Sequence, residues 1–321
     1  MRDSILKFAQ QFSYEPKIEN KKNLARKDKF IVIGMGGSHL AADLLSIFSK
    51  ETSVIIHSNY GLPPIKNSEL KKNLIVLSSY SGNTEEVIDA FHTAKKRGLD
   101  MLVVAIGGAL MELAQKYTIP YIQLPDTHIQ PRMALGFSIK ALFKIIGDEK
   151  ALRELSKLSN TLKPKNFEKK GQVLAKKLKG HIPVIYSSFQ NQAIAHNWKI
   201  KLNETGKIPA FCNVFPELNH NEMTGFDVVR QTKKLSSKFY FIFLKDAADH
   251  PRIIKRMEIT KKLYKARSLK VMSISISHKN IFFKIFSALL LADWAAYYTA
   301  KGYSTEPEFV PMVEDFKKMM R

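Results

Sequence analysis

The chain has 321 residues, 45% of them hydrophobic, enough for two ordinary domains or one large one. Its formal net charge is +22, yet the lysines are scattered as pairs such as Lys21-Lys22, Lys95-Lys96 and Lys176-Lys177. No zinc-finger spacing or helix-turn-helix accompanies them, so no specific nucleic-acid binding is expected. The single cysteine, Cys212, excludes an internal disulfide and fits a reducing, cytoplasmic setting.

Residues 1–28 read as a helical arm, with Ile5, Phe8 and Phe12 at helical spacing and no resemblance to a signal peptide. Residues 30–33 are a buried-strand run that enters Gly34-Met35-Gly36-Gly37-Ser38-His39, then a helix with Leu40, Leu44, Leu45 and Phe48 on its apolar face. Strand, glycine turn and helix together can cradle a phosphate or sugar through backbone N–H groups, which makes Gly36, Gly37 and Ser38 candidate ligands. The bland alternative is a tight turn that needs glycine. A dinucleotide site is rejected, because His39 stands where the pattern needs glycine and no acid follows strand 54–56. The P-loop pattern fails as well, since no Gly-Lys-Ser/Thr follows the glycines.

Strand 74–77 enters a second turn, Ser78-Ser79-Tyr80-Ser81-Gly82-Asn83-Thr84, ahead of a helix through Val87, Ile88 and Phe91. The turn offers the Ser79, Ser81 and Thr84 hydroxyls, and the new helix offers unpaired N–H groups and a positive dipole end. Gly82 reads as the residue that lets the backbone approach an anion. Asn83 with Glu86 reads as a capping box, which alone would leave a capped helix with no ligand. Strand 102–106 ends at Gly107-Gly108, a helix carries Leu110, Leu113 and Ala114, and 121–124 is a fifth strand. This alternation predicts a parallel α/β sheet with ligands outside the strand C-termini. Arg132, next to Pro131, is expected near a helix start, to serve a ligand anion or to pair with a surface acid.

Residues 146–180 are charged and helical, and Ile146-Gly147-Asp148 marks the expected domain end, giving domains 1–150 and 151–321. The alternation then restarts. Strand 183–186 opens into Ser187-Ser188-Phe189-Gln190, and a helix through Ile194, Trp198 and Leu202 ends at Glu204, with Gly206 as its C-cap. Strand 210–214, the polar loop 216–222, strand 239–244, a basic helix 251–267 and strand 271–276 follow. A long helix (281–301) and a short one (313–320) close the chain. The apolar stretch 285–298 is interrupted by Asp293 and too short to span a bilayer, so a buried helix and no membrane partner are expected. Two units of similar size, each with a strand followed by a serine turn, suggest an internal duplication.

Gly34-Met-Gly-Gly-Ser38, Ser79-Tyr-Ser-Gly-Asn-Thr84, Pro131-Arg-Met-Ala-Leu-Gly136, Asn203-Glu204 and Glu217-Leu-Asn-His-Asn-Glu222 occur in this order. Together they resemble the bifunctional phosphoglucose/phosphomannose isomerases of the sugar isomerase (SIS) superfamily, from about residue 30 to the end. The resemblance implies an α/β fold of two tandem SIS domains, each a parallel sheet flanked by helices in a flavodoxin-like three-layer sandwich. It implies a phosphorylated hexose substrate and no cofactor or metal. Ser38, Ser79, Ser81 and Thr84 would hold the sugar phosphate. Glu204 would move a proton between C1 and C2, and Arg132 would steady the enediolate. His220 would reach the neighbouring active site of a homodimer and help open the sugar ring. A lysine near the C-terminus would assist, and Lys317 fits that pattern better than Lys301.

The chemistry asks for the same residue types. Aldose–ketose isomerisation needs one carboxylate base, a positive charge near the enediolate and a proton shuttle such as histidine. Two departures bear on the substrate: Glu306-Pro307-Glu308 stands where the family often reads Asp-Pro-Thr, and His39 is bulkier than the small residue expected there. Two other functions fit parts of the pattern. A non-catalytic sugar-phosphate sensor would need a further domain, and isomerases of other phosphosugars are expected to be shorter.

Overall fold

The apolar runs expected to be strands form two parallel sheets in the computed structural model, which describes residues 1–48 and 53–320. The chain divides into two units: Lys7–Thr161, and Met1–Leu6 with Leu162–Arg321. The expected N-terminal helix is accordingly two pieces, α1 (Arg2–Leu6) in one unit and a 3-10 helix (Phe8–Ser13) in the other.

In the unit Lys7–Thr161, β1 (Lys29–Ile33), α2 (Gly37–Phe48), β2 (Ser53–His57), α3 (Asn67–Leu70), β3 (Asn73–Ser78) and α4 (Glu85–Lys96) follow in order. Next come β4 (Met101–Ala105), α5 (Gly108–Lys116), β5 (Tyr121–Gln123), a 3-10 turn (Pro131–Met133) and α6 (Leu135–Ile146). The sheet order is β2-β1-β3-β4-β5, all parallel, with Ile33 opposite Leu77. The turns after β1 and β3 therefore leave the sheet side by side. Both sheet faces are covered, so β3 is buried along its whole length and reads as a continuous apolar run. Ile31, Leu77, Val87, Phe91, Val103 and Leu110 share one core.

This unit continues past the boundary expected at residue 150, through α7 (Glu149–Ser156) and α8 (Leu158–Thr161). Leu152, Leu155 and Leu158 are buried, and the helices pack on α6 and the Phe8–Ser13 turn. The buried Lys140 ammonium fastens this corner, donating to the Phe12 carbonyl at 2.9 Å and to Glu15 and Ser156, each at 2.8 Å. Charge runs on the outer helix faces hid this packing from the sequence.

The other unit adds α9 (Glu168–Leu178), β6 (Ile182–Ser188), α10 (Gln192–Glu204), β7 (Phe211–Phe215), α11 (Glu222–Gly225) and α12 (Lys233–Ser236). It ends with β8 (Phe239–Lys245), α13 (Pro251–Ala266), β9 (Lys270–Ser275), α14 (Ile281–Gly302) and α15 (Pro311–Met319). Its sheet has four parallel strands in the order β7-β6-β8-β9. Helix α14 is longer than its apolar stretch suggested and is long and apolar enough to cross a membrane. Here it is mostly buried, and its Asp293 pairs with Lys201 of α10 at 2.6 Å. Gly206 is not the C-cap: Thr205 is, in the right-handed region at φ −96°, and a Cβ on Gly206 would lie 2.6 Å from the Leu202 carbonyl oxygen.

Candidate active site

Seven of the ten expected site residues lie in the unit Lys7–Thr161, and they are physically linked. The Ser38 hydroxyl accepts from the Tyr80 amide at 2.8 Å, and the Ser78 hydroxyl donates to the Ser38 carbonyl at 3.1 Å. These bonds join the glycine turn to the serine turn. On its other side the glycine turn meets the Arg132 segment, since a Cβ on Gly37 would sit 2.7 Å from the Pro131 carbonyl carbon and 2.8 Å from the Arg132 nitrogen. Gly36 is exposed at the tip of this turn.

Within the serine turn, the Ser79 and Thr84 hydroxyls lie 2.7 Å apart, and Ser79 Oγ also accepts from the Gly82 amide at 3.0 Å. Ser81 Oγ, exposed, accepts from the Asn83 amide at 3.2 Å. A hydroxyl that already accepts can still donate its own proton, which is what a phosphate oxygen needs. Thr84 is the N-cap of α4, where the first N–H groups lack intrahelical acceptors.

Two sequence expectations are corrected. The missing side chain of Gly82 does not admit an anion: at φ +72° its Cβ would lie 1.7 Å from the Gly107 carbonyl oxygen. Gly82 is there so that the serine turn can lie against the turn after β4. Asn83 does not cap α4; its Oδ1 accepts from the Ala109 amide at 3.0 Å, in the first turn of α5. Arg132 is buried, which removes the surface-acid reading, and its Nη1 donates to Gln130 Oε1 at 3.4 Å. His39 turns away along α2 to pair with Asp43 at 2.9 Å.

Glu204, His220 and Lys317 lie in the other unit. Glu204 is half-buried at the C-terminal end of α10, where the helix dipole disfavours a negative charge. Lys207, in the left-handed region at φ 57°, donates to the Glu204 carbonyl at 2.6 Å and also to the Phe309 carbonyl. One lysine thus ties the end of α10 to the segment leading into α15. Lys317 itself is exposed on α15 and pairs with Glu314 at 2.8 Å, and Lys301 is exposed on α14. Glu308, in the departing Glu306-Pro307-Glu308 segment, pairs with the Met1 amino group at 2.8 Å.

The loop carrying His220 is pinned through side chains at most of its other residues, while His220 is held by its backbone amide, which donates to the Glu217 carbonyl at 2.9 Å. Leu218 is buried. Asn219 Nδ2 donates to Thr260 at 2.8 Å, and Asn221 Nδ2 donates to Glu217 at 2.7 Å. Glu222 accepts from the Tyr186 hydroxyl and from Asn213 Nδ2. Burial, with Tyr264 and Glu222 nearby, pushes the Tyr186 phenol far up, so it remains a donor. The His220 ring is left exposed. Tyr186 and Asn213 brace this loop through Glu222; the sequence showed Glu222 only as part of the loop motif and the other two only as strand residues.

The ends of β6 and β8 match the ends of β1 and β3 in sheet order, but they hold a different structure. The Ser188 hydroxyl accepts from Asn191 Nδ2 at 3.0 Å, which also donates to Asp249 at 3.1 Å. Lys284 closes the cluster on Asp246 at 2.7 Å. Burial raises the Asp246 carboxyl, but the hydrogen bond from Lys284 and its other donors outweigh this and hold it below the ordinary range. Burial pushes Asp249 up, and the neighbouring Asp246 charge adds to the rise. An acidic, cation-filled turn does not suit a phosphate, so the second sheet repeats the scaffold and not the cradle. Among the described residues, no three His, Cys, Asp or Glu side chains are grouped as metal ligands.

Residues 167–320 match the family described as bacterial phospho-glucose isomerase C-terminal SIS domain. The chain is 34% identical over 310 residues to a bifunctional phosphoglucose/phosphomannose isomerase of Caldicellulosiruptor bescii, covering 91% of this chain and 89% of that one. It is 30% identical over 320 residues to the protein of the same name from Aquifex aeolicus, covering 98% and 96%. The solved structure of glucosamine-6-phosphate deaminase from Thermotoga maritima aligns with a TM-score of 0.67 at 16% identity, over 95% of this chain and 94% of that one, a likeness of fold. With relatives matched along nearly their whole length, and with the glycine and serine turns fastened together, the chain belongs to the bifunctional phosphoglucose/phosphomannose isomerase family of tandem SIS-domain proteins.

Proposed function

We propose that the protein interconverts glucose 6-phosphate, and also mannose 6-phosphate, with fructose 6-phosphate. The observation that carries this reading is the Ser38–Tyr80 bond, which makes one hydroxyl- and amide-lined surface from two turns, beside the buried Arg132. Ser38, Ser79, Ser81 and Thr84 take the phosphate oxygens. The Glu204 carboxylate removes the proton from C2 of the open-chain aldose, and the electron pair forms the C1–C2 enediolate. The same carboxyl returns the proton to C1, so no electron leaves the sugar and no external redox partner is needed. Arg132 supplies the positive charge that an enediolate oxygen needs. His220, with an imidazole that titrates near neutrality when unperturbed, moves the ring-opening proton from the partner copy of a homodimer, and Lys317 assists it.

The test is to supply fructose 6-phosphate in EDTA and quantify both aldoses, with Glu204→Gln alongside. Formation of both products, reduced about 10²–10⁴-fold by the substitution, is the expected result. Phosphosugar binding without turnover would point instead to a sensor.

A further inference from the structure

The two sheets are built on one plan, and one of them stops a strand short. In the first unit the outer edge of β4 is covered by β5: the Val103 amide donates to the Pro120 carbonyl at 2.9 Å and the Leu124 amide donates to the Ala105 carbonyl at 2.8 Å. The matching strand of the second sheet, β9, is its last. Its inward side is fixed by the Ile276 amide, which donates to the Lys245 carbonyl at 2.9 Å. In a parallel ladder alternate residues face opposite neighbours, so the amides and carbonyls of Val271, Ser273 and Ser275 face outward. Among the described residues no strand pairs with them.

Helix length explains the gap. The nine residues of α5 span about 14 Å, and the chain returns at once as β5. The 22 residues of α14 span about 33 Å and carry the chain past the sheet. The tail is then held at Phe309 by Lys207, between α10 and β7, and β7 is the opposite edge strand.

A groove of about 640 Å³ runs along β9, between it, α9 and α14. Met272, Ile274, Val173 and Phe283 give it apolar walls. Lys169, Lys170 and Lys177 line it, and no carboxylate does. We infer that this edge binds an extended peptide segment of another protein, with alternating acidic and apolar residues, which adds to β9 as a parallel fifth strand. Unpaired main-chain donors and acceptors together favour a peptide, since it satisfies both, and the three lysines select acidic side chains. A second copy of this chain pairing through β9 would bring two sets of three lysines together, which disfavours that occupant.

The probe is a fluorescein-labelled Val-Glu-Val-Glu-Val-Glu peptide titrated into the full-length protein, read by anisotropy. Ser273→Pro removes one outward N–H and leaves the bonds to β8 intact, as proline is tolerated at a sheet edge. Charge reversal of Lys169, Lys170 and Lys177 to Glu is an independent variant. Each is expected to weaken binding about tenfold or more, with unchanged thermal melting and isomerase activity. Methylating alternate peptide amides is expected to do the same. Equal binding of the methylated peptide, unchanged binding by both variants, or no binding at millimolar peptide would overturn the proposal. So would a protein dimer that Ser273→Pro dissociates, which would assign the edge to a second copy.

Discussion

The Ser38 hydroxyl accepts a hydrogen bond from the Tyr80 amide at 2.8 Å, across 42 residues of sequence, and both groups are buried. One bond therefore fixes the spacing of the two turns proposed to hold the sugar phosphate. Ser38→Ala leaves the Tyr80 N–H buried without its acceptor. The expected cost is about 1–3 kcal/mol of stability, seen as a lower Tm, together with weaker fructose 6-phosphate binding by calorimetry. Unchanged melting and affinity would show that the turns hold their spacing without it.

Gly82→Ala tests the close approach of the serine turn to the turn after β4. A Cβ there would meet the Gly107 carbonyl oxygen at 1.7 Å, on a residue whose φ is +72°. Backbone on both sides cannot yield as a flexible side chain can. The loss of stability is expected to exceed that of Ser38→Ala in urea unfolding of both variants, and a wild-type midpoint would contradict this contact.

The strands were legible because parallel strands covered on both faces are uninterrupted apolar runs, as at Ile75, Val76 and Leu77. The glycine and serine turns were legible because they stand at the ends of such runs. What each turn residue does was not legible. Gly82 and Asn83 serve the neighbouring turn after β4, and nothing within their own segment of sequence shows that neighbour. The cluster of Asp246, Asp249 and Lys284 escaped notice for the same reason, since its members come from separate elements. The first unit runs on past residue 150, since Gly147 ends α6 in the left-handed conformation without ending the unit.

Lys284→Met makes a pH-dependent prediction. Lys284 and Asp246 are 6% and 5% exposed, so removing the ammonium strands a buried carboxylate, at a cost of about 3–5 kcal/mol at neutral pH. Asp246 in the intact protein lies below its ordinary 3.8, so its contribution is complete above that value and fades as pH falls through the lower folded value. Asp249 is raised by burial and works the other way: its contribution is complete below 3.8 and is lost as pH rises through its folded value. In the variant, the lone Asp246 takes up a proton more readily than before. The stability gap between wild type and variant is therefore expected to be largest at neutral pH and to shrink in acid. Urea unfolding at both conditions checks this, and a gap that widens in acid would refute it.

The placement of His220 across a homodimer can be tested by mixing subunits. Glu204→Gln and His220→Ala are each expected to be nearly inactive. Random mixed dimers contain one site with both residues intact, so refolding an equal mixture restores about a quarter of wild-type activity if His220 serves the partner. No recovery, with mixed dimers demonstrated by native mass spectrometry, would put His220 in its own subunit's site.

Proton transfer by Glu204 is the central claim, and deuterium reports it most directly. Fructose 6-phosphate is incubated with the protein in D₂O containing EDTA, and the aldose products are followed by NMR. The expected result is deuterium at C2 of the aldose, with product formation lost in Glu204→Gln. Aldose that forms at the wild-type rate in Glu204→Gln, with the same deuterium at C2, would contradict it.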